Sequence, residues 1–104
     1  MEQLSPFARR LKEARLAADV SQRKLGMMVG LRPQQSSPRM NRYELGHHVP
    51  PDYGLIKRLG DVLGVPPAYF FCDDDVMAEI IKRIGKMKVK ERMKLLRNME
   101  LDVG

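Results

Sequence analysis

Apolar residues recur along this chain at three- and four-residue intervals, and no stretch of any length alternates strictly at every second position. Leu4, Phe7, Ala8, Leu11, Ala14 and Ala18 follow that spacing, with Arg9, Arg10, Lys12 and Glu13 largely on the other side. The pattern predicts an amphipathic helix over about 5–18. A short second helix is predicted after Ser21, whose hydroxyl can accept from the open amides of a first turn. Val20 and Leu25 are spaced as a hydrophobic staple, and Gly30 supplies the stop. Farther on, Leu55, Ile56, Leu59, Val62 and Leu63 form a stripe between a cap at Asp52 and a stop at Gly64. The run "VPPAYFF" predicts a brief helical turn that drops Tyr69, Phe70 and Phe71 onto the core.

From Asp73 the character changes. Asp73, Asp74 and Asp75 suit the amino end of a helix dipole, and Lys82, Arg83 and Lys86 suit the carboxyl end. Val76, Ile80, Ile81, Ile84 and Met87 lie along one side; Gly85 is a candidate break, and Val89, Met93, Leu96 and Met99 make a second stripe. Val, Ile and Thr are not clustered as strands require. The expectation is an all-α protein: five short helices in a domain over 1–72, and a helical tail over 73–104.

The middle of the chain holds the candidate chemistry. In "SPRMNRYELG", Met40 and Tyr43 share one helix face, while Ser37, Arg39, Asn41 and Arg42 are left for the other. Ser36 is read as the cap, because Pro38 then falls in the first turn, where its missing amide costs little. A start near Pro33 would put Pro38 in the interior and kink the helix. Gln34 and Gln35 are accordingly read as loop residues able to touch phosphate or base edges. Two short helices joined by a turn, the second offering Arg and Asn, meet the geometric need of a DNA-reading helix-turn-helix. Arg can pair bidentately with guanine and Asn with adenine, each contact worth roughly 1–3 kcal/mol of discrimination.

Charge placement agrees. The 104 residues carry a formal net charge of +6. Between Val20 and His48, five cations (Arg23, Lys24, Arg32, Arg39, Arg42) face the single anion Glu44, so four of the six net charges lie on the proposed reading unit. The tail nearly cancels, with eight cations against seven anions. His47 and His48 with Cys72 and Asp73–Asp75 do not make a metal site: adjacent histidines lack the spacing of helical ligand pairs, and one cysteine is a weak set. No cofactor is implied. No nucleophile–base arrangement or glycine-rich phosphate loop is present, so an enzyme is not expected. A lone cysteine, no signal-like apolar run and no stretch near the roughly 20 residues needed to span a bilayer together predict a cytoplasmic protein without membrane contact.

"SQRKLGMMVGL", "MNRYELG" and "VPPDYGLIKRLGDVLGVPPAYFF" together resemble the lambda-repressor-like (Xre/Cro type) helix-turn-helix family over roughly residues 4–71. Ser21–Gln22 match the pair that opens that family's second helix. Glu44–Leu45–Gly46 match its third-helix close, Pro50 and Pro51 its approach to the fourth, and Leu63–Gly64–Val65 its end. Against the family's compact turn, a cap at Ser36 makes the connection after Gly30 four residues longer. The resemblance implies that Gln22, with Arg23 beside it, grips phosphate. It also implies that Ser37, Arg39 and Arg42 read bases with Asn41 flanking, and that His47 and His48 touch the backbone.

The expected function is sequence-specific transcriptional regulation, by repression, as a homodimer on an inverted repeat in double-stranded DNA. The tail's stripes can fold back or pair with another chain, and pairing is the reading favoured here. The alternative is a protein-interaction module, such as an antitoxin or adaptor, whose tail engages a protein partner. Non-specific coating of nucleic acid is a third, weaker option.

Overall fold

A computed structural model describes residues 5–50 and 52–103, the side chains at 102 and 103 excepted. Leu4 and Pro51, both used in the sequence reading, lie outside the described residues. The chain is all-α: α1 Phe7–Ala17, α2 Gln22–Met28, α3 Pro33–Glu44, α4 Tyr53–Leu63, a 3-10 turn Pro67–Phe71, α5 Asp75–Gly85 and α6 Val89–Val103. Among the described residues there is no strand, and no helix is long and apolar enough to cross a membrane.

Local chemistry sets most helix ends. Ser21 accepts from the Lys24 amide, Asp52 from that of Gly54 and Asp74 from that of Met77, so three helices start at side-chain caps. Gly30 and Gly64 follow α2 and α4 with φ of 96° and 73°, the left-handed stop that glycine adopts without penalty. One core unites α1 to α4 and the 3-10 turn. Phe7, Leu11, Leu25, Met40, Leu59 and Phe70 are fully enclosed, with the Phe7 and Phe70 rings 5.3 Å apart. Tyr69 and Phe70 are buried as expected, but Phe71 is 47% exposed and only leans on Phe7 from the surface. Three consecutive aromatics on a tight turn cannot all point the same way.

The start of α3 corrects the sequence reading. Ser36 is not the cap. Arg32 is, with Pro33 in the first turn and Pro38 inside the helix. The turn after Gly30 is therefore the compact one, and the four residues assigned to a longer connection are helical, adding about 6 Å to α3 at 1.5 Å per residue. Ser36 itself is wholly buried, and its hydroxyl donates to the Arg32 carbonyl at 2.9 Å. Ser36, Met40 and Tyr43 form one continuous buried stripe, and packing that stripe outweighs the amide lost at Pro38. Because Pro38 is exposed, its replacement removes the defect and no packing. Pro38→Ala is expected to stabilise the protein by about 1–3 kcal/mol, less than the full interior-proline cost because proline also restrains the unfolded chain. Urea melts of the two proteins check this; a loss of stability would mean that α3 does not run through position 38.

In the tail, α5 docks and α6 does not. Ala78 is in the core and Ile81 packs on it, whereas Val76 and Ile80 remain exposed, so the docked face is offset from the apolar stripe. Gly85 lies so close to Pro66 that a Cβ there would stand 2.5 Å from its ring. Asp75, first residue of α5, accepts from Arg9 at 2.7 Å and from buried Arg10 at 2.9 Å. Those bonds hold the Asp75 carboxyl below the usual carboxylate range. Burial works against the Arg10 charge, yet its bonds to Asp75 and Glu13 leave its pKa raised. α6 makes at most marginal contact with the other helices, and Val89, Met93, Leu96 and Met99 are exposed along it.

Candidate nucleic-acid interface

Among the described residues, α2 and α3 are the helices that pack together most extensively. Gly26 of α2 sits so near α3 that a Cβ there would stand 2.5 Å from Ser36 Cβ and 2.7 Å from Ser36 Cα. Backbone thus meets backbone, and α3 is held by its Ser36–Met40–Tyr43 face. A second hold comes from Glu44, the one anion in the cationic window. Arg15 of α1 donates to it from Nε at 2.6 Å and from Nη2 at 3.0 Å, a fork-to-fork pair. The Glu44 side chain is 3% exposed. Its hydrogen bonds raise the Arg15 pKa above the usual value, more than burial lowers it. The third member is Gln22, whose Nε2 donates to Glu44 Oε1 and to Asn41 Oδ1, both at 3.3 Å.

What α3 turns outward is polar and without free acid. Gln34, Gln35, Pro38, Arg39, Asn41 and Arg42 are exposed, and Ser37 is half-buried at the edge of the packed face. No acidic residue occupies the first turn, so the positive end of the α3 dipole is left uncompensated. Gln34, Gln35, Arg39 and Arg42 line one depression of about 300 Å³ together with Pro38. Arg39 and Arg42 continue into a second, of about 350 Å³, bounded by Tyr43, His48 and Val49. The sequence-derived candidates therefore separate. Gln34, Gln35, Arg39, Arg42 and His48 line these two depressions, whereas Asn41 is hydrogen-bonded to Gln22 on the side of α3 that faces α2. Arg23 stands exposed in the first turn of α2 beside Lys24, and His47 lines a different depression with Ser5, Arg9 and Asp73.

One correction follows for the candidate set. Gln34 and Gln35 are not loop residues; they occupy the first turn of α3. Both amide hydrogens of Gln22 have protein acceptors in the free chain. Sequence reasoning missed Arg32, exposed at the α3 cap, and the Arg15–Glu44 pair that anchors the helix. The isolated anion in a cationic run was the available signal for Glu44; nothing local marks Arg15. Among the described residues no group of three or more His, Cys, Asp or Glu is placed to share a metal ion.

Comparison with known proteins bears on the whole arrangement. A family model described as a helix-turn-helix domain matches residues 6–69. The chain is similar to a solved structure, that of the transcriptional regulator BswR, with 38% identity and a TM-score of 0.80 over 90% of this chain and 92% of that one. No curated protein matches. With its second and third helices packed through Gly26 and Ser36 and a polar third helix turned outward, the chain belongs to the Xre-like helix-turn-helix family of DNA-binding domains.

Proposed function

We propose that this protein is a sequence-specific transcriptional regulator that inserts α3 into the major groove and acts in the cytoplasm as a dimer on an inverted-repeat operator. Repression by covering a promoter is its simplest output. The observation that carries the reading is the outward flank of α3, where Gln34, Gln35, Arg39 and Arg42 lie together on a helix whose only acid is buried in an ion pair. Guanidinium groups there suit guanine edges, and the glutamines suit adenine. His48 and Arg23 stand at the rims, where phosphates pass. In a symmetric dimer the two α3 helices sit about one duplex turn apart, so half-sites are centred about 10 bp apart or a multiple of it.

On this reading residues 1–72 make the DNA-contacting unit and 73–104 the partner segment, with α5 its docked part. A second copy suits α6. Its first nine residues hold Lys90, Arg92, Lys94 and Arg97 against Glu91, while Glu100 and Asp102 follow, so antiparallel pairing sets basic against acidic halves. The exposed apolar residues of α5 and α6 also favour a second reading, a protein-interaction module. Truncation after Met87, which removes α6 and leaves α5 in place, separates the part α6 plays in each: on the first reading it lowers operator affinity to weak monomeric contact, and on the second it abolishes capture of a protein partner and leaves operator affinity unchanged.

The readers are tested by measuring affinity for a preferred duplex and for random duplex at fixed salt. Arg39→Ala and Arg42→Ala are each expected to cost roughly 10–100-fold on the preferred site and little on random DNA; Arg23→Ala should cost both alike. Equal losses on both duplexes for all three would sink the assignment of readers.

A further inference from the structure

Gly85 closes α5 in an ordinary helical conformation, without the positive φ of Gly30 and Gly64. Its missing side chain answers a contact instead. A Cβ there would stand 2.5 Å from Pro66 Cγ and 2.7 Å from Cδ, and a proline ring cannot swing aside. Pro66 is itself held in place. The Val65 amide before it donates to the Gly60 carbonyl at 2.9 Å, and a Cβ on Gly60 would stand 2.5 Å from the Val65 oxygen, so this segment lies directly on α4. At its other end α5 is gripped by buried Arg10, which donates to the Cys72 carbonyl at 2.8 Å, the Asp73 carbonyl at 3.0 Å and Asp75 at 2.9 Å. The turn into α6 is short and closed: the Met87 amide donates to the Ile84 carbonyl and the Lys88 amide to Glu91.

We propose that the seat of Gly85 on Pro66 sets the direction of the tail, and with it the distance at which a dimer holds its two recognition helices. Gly85 is then a specificity-determining residue for half-site spacing, although it touches no DNA. Lifting the end of α5 by about 1 Å, over the roughly 10 Å from Ala78, tilts the helix by about 5°. At the far end of α6, roughly 22 Å long, that tilt becomes about 2–3 Å, close to the ~3.4 Å rise of one base pair.

The inference rests on the reading of a dimer paired through α6, and its test tells the two apart. The half-site that full-length wild type enriches from a random duplex library is placed singly and as inverted pairs, their spacing varied one base pair at a time. Wild type should bind one spacing best. Gly85→Ala sits at an exposed position where α5 can shift outward, and alanine suits a helix, so it should fold and bind the single half-site as wild type does. On the wild-type spacing it should lose roughly tenfold or more, since engaging both sites at once contributes roughly 10²–10⁴-fold and depends on geometry. Its optimum should move or spread. Adding Pro66→Ala, which removes the ring atoms in the way, should restore the wild-type profile. An unchanged profile for Gly85→Ala, or affinity lowered evenly at every spacing, overturns the inference while the dimer reading stands. A Pro66→Ala, Gly85→Ala protein that keeps the Gly85→Ala profile overturns it too. A wild type that enriches no half-site, or binds paired sites no better than one at any spacing, overturns the dimer reading and this inference together.

Discussion

Gly26→Val is expected to leave the protein largely unfolded or with α2 and α3 forced apart. The obstacle is not a flexible side chain: a Cβ at position 26 meets Cβ, Cα and Oγ of Ser36 at 2.5, 2.7 and 2.8 Å. Overpacking of this kind costs about 1–3 kcal/mol and more where the neighbour is backbone. Gly26→Ala is the milder probe. Alanine gains about 1 kcal/mol of helix propensity over glycine, so a net loss on that substitution can only come from the contact. Ser36→Gly in the same chain should restore part of the loss, because Ser36 Cα remains in the way. Denaturant melts of the three proteins decide the matter, and a Gly26→Ala protein as stable as wild type would mean that the two helices stand farther apart.

Glu44→Ala has the other large expected effect. It leaves the Arg15 guanidinium, 12% exposed, with the Val20 carbonyl as its remaining bond and no opposing charge. Removing one member of such a pair costs about 3–5 kcal/mol, against the roughly 5–15 kcal/mol that holds a domain of this kind folded. A fall in Tm on the order of 10–20 °C should be read by calorimetry. Replacing both members, Arg15→Met with Glu44→Leu, should recover most of the stability, since no buried charge is then left alone. That double variant keeps the fold while releasing Gln22, and so separates the structural role of Glu44 from its hold on the reading face. If Glu44→Ala melts like wild type, the pair is not closed in solution.

How much of this was legible beforehand depends on how local the cause is. Ser21, Asp52 and Asp74 cap helices through bonds to amides two or three residues on, and Gly30 and Gly64 stop them through their own φ. Such ends can be read from a few adjacent letters. The start of α3 cannot, because Pro33 and Pro38 each suit a first turn, and what decides between them is Ser36 against Gly26, ten residues back. That error misplaced Gln34 and Gln35 in a loop, yet kept Arg39 and Arg42 on the exposed face, since Met40 and Tyr43 fix the helix phase in either case. The Arg15–Glu44 bond spans 29 residues, and no local pattern announces it. Gln22 was identified by its place at the head of α2, but that place does not reveal that its amide is turned inward. Phe71 and the offset docking of α5 belong to the same class: which side of an apolar segment is covered is settled by the surface it meets.

Recognition by α3 is tested most directly by selecting bound sequences from a random duplex library at about 150 mM salt, with Arg42→Ala run alongside wild type. The wild type should enrich a palindromic motif with half-sites centred about 10 bp apart or a multiple of it. In the variant one position in each half-site should lose its preference while the rest of the motif survives. A motif unchanged by Arg42→Ala would place recognition elsewhere on the molecule, and enrichment of no motif at all would contradict sequence-specific binding.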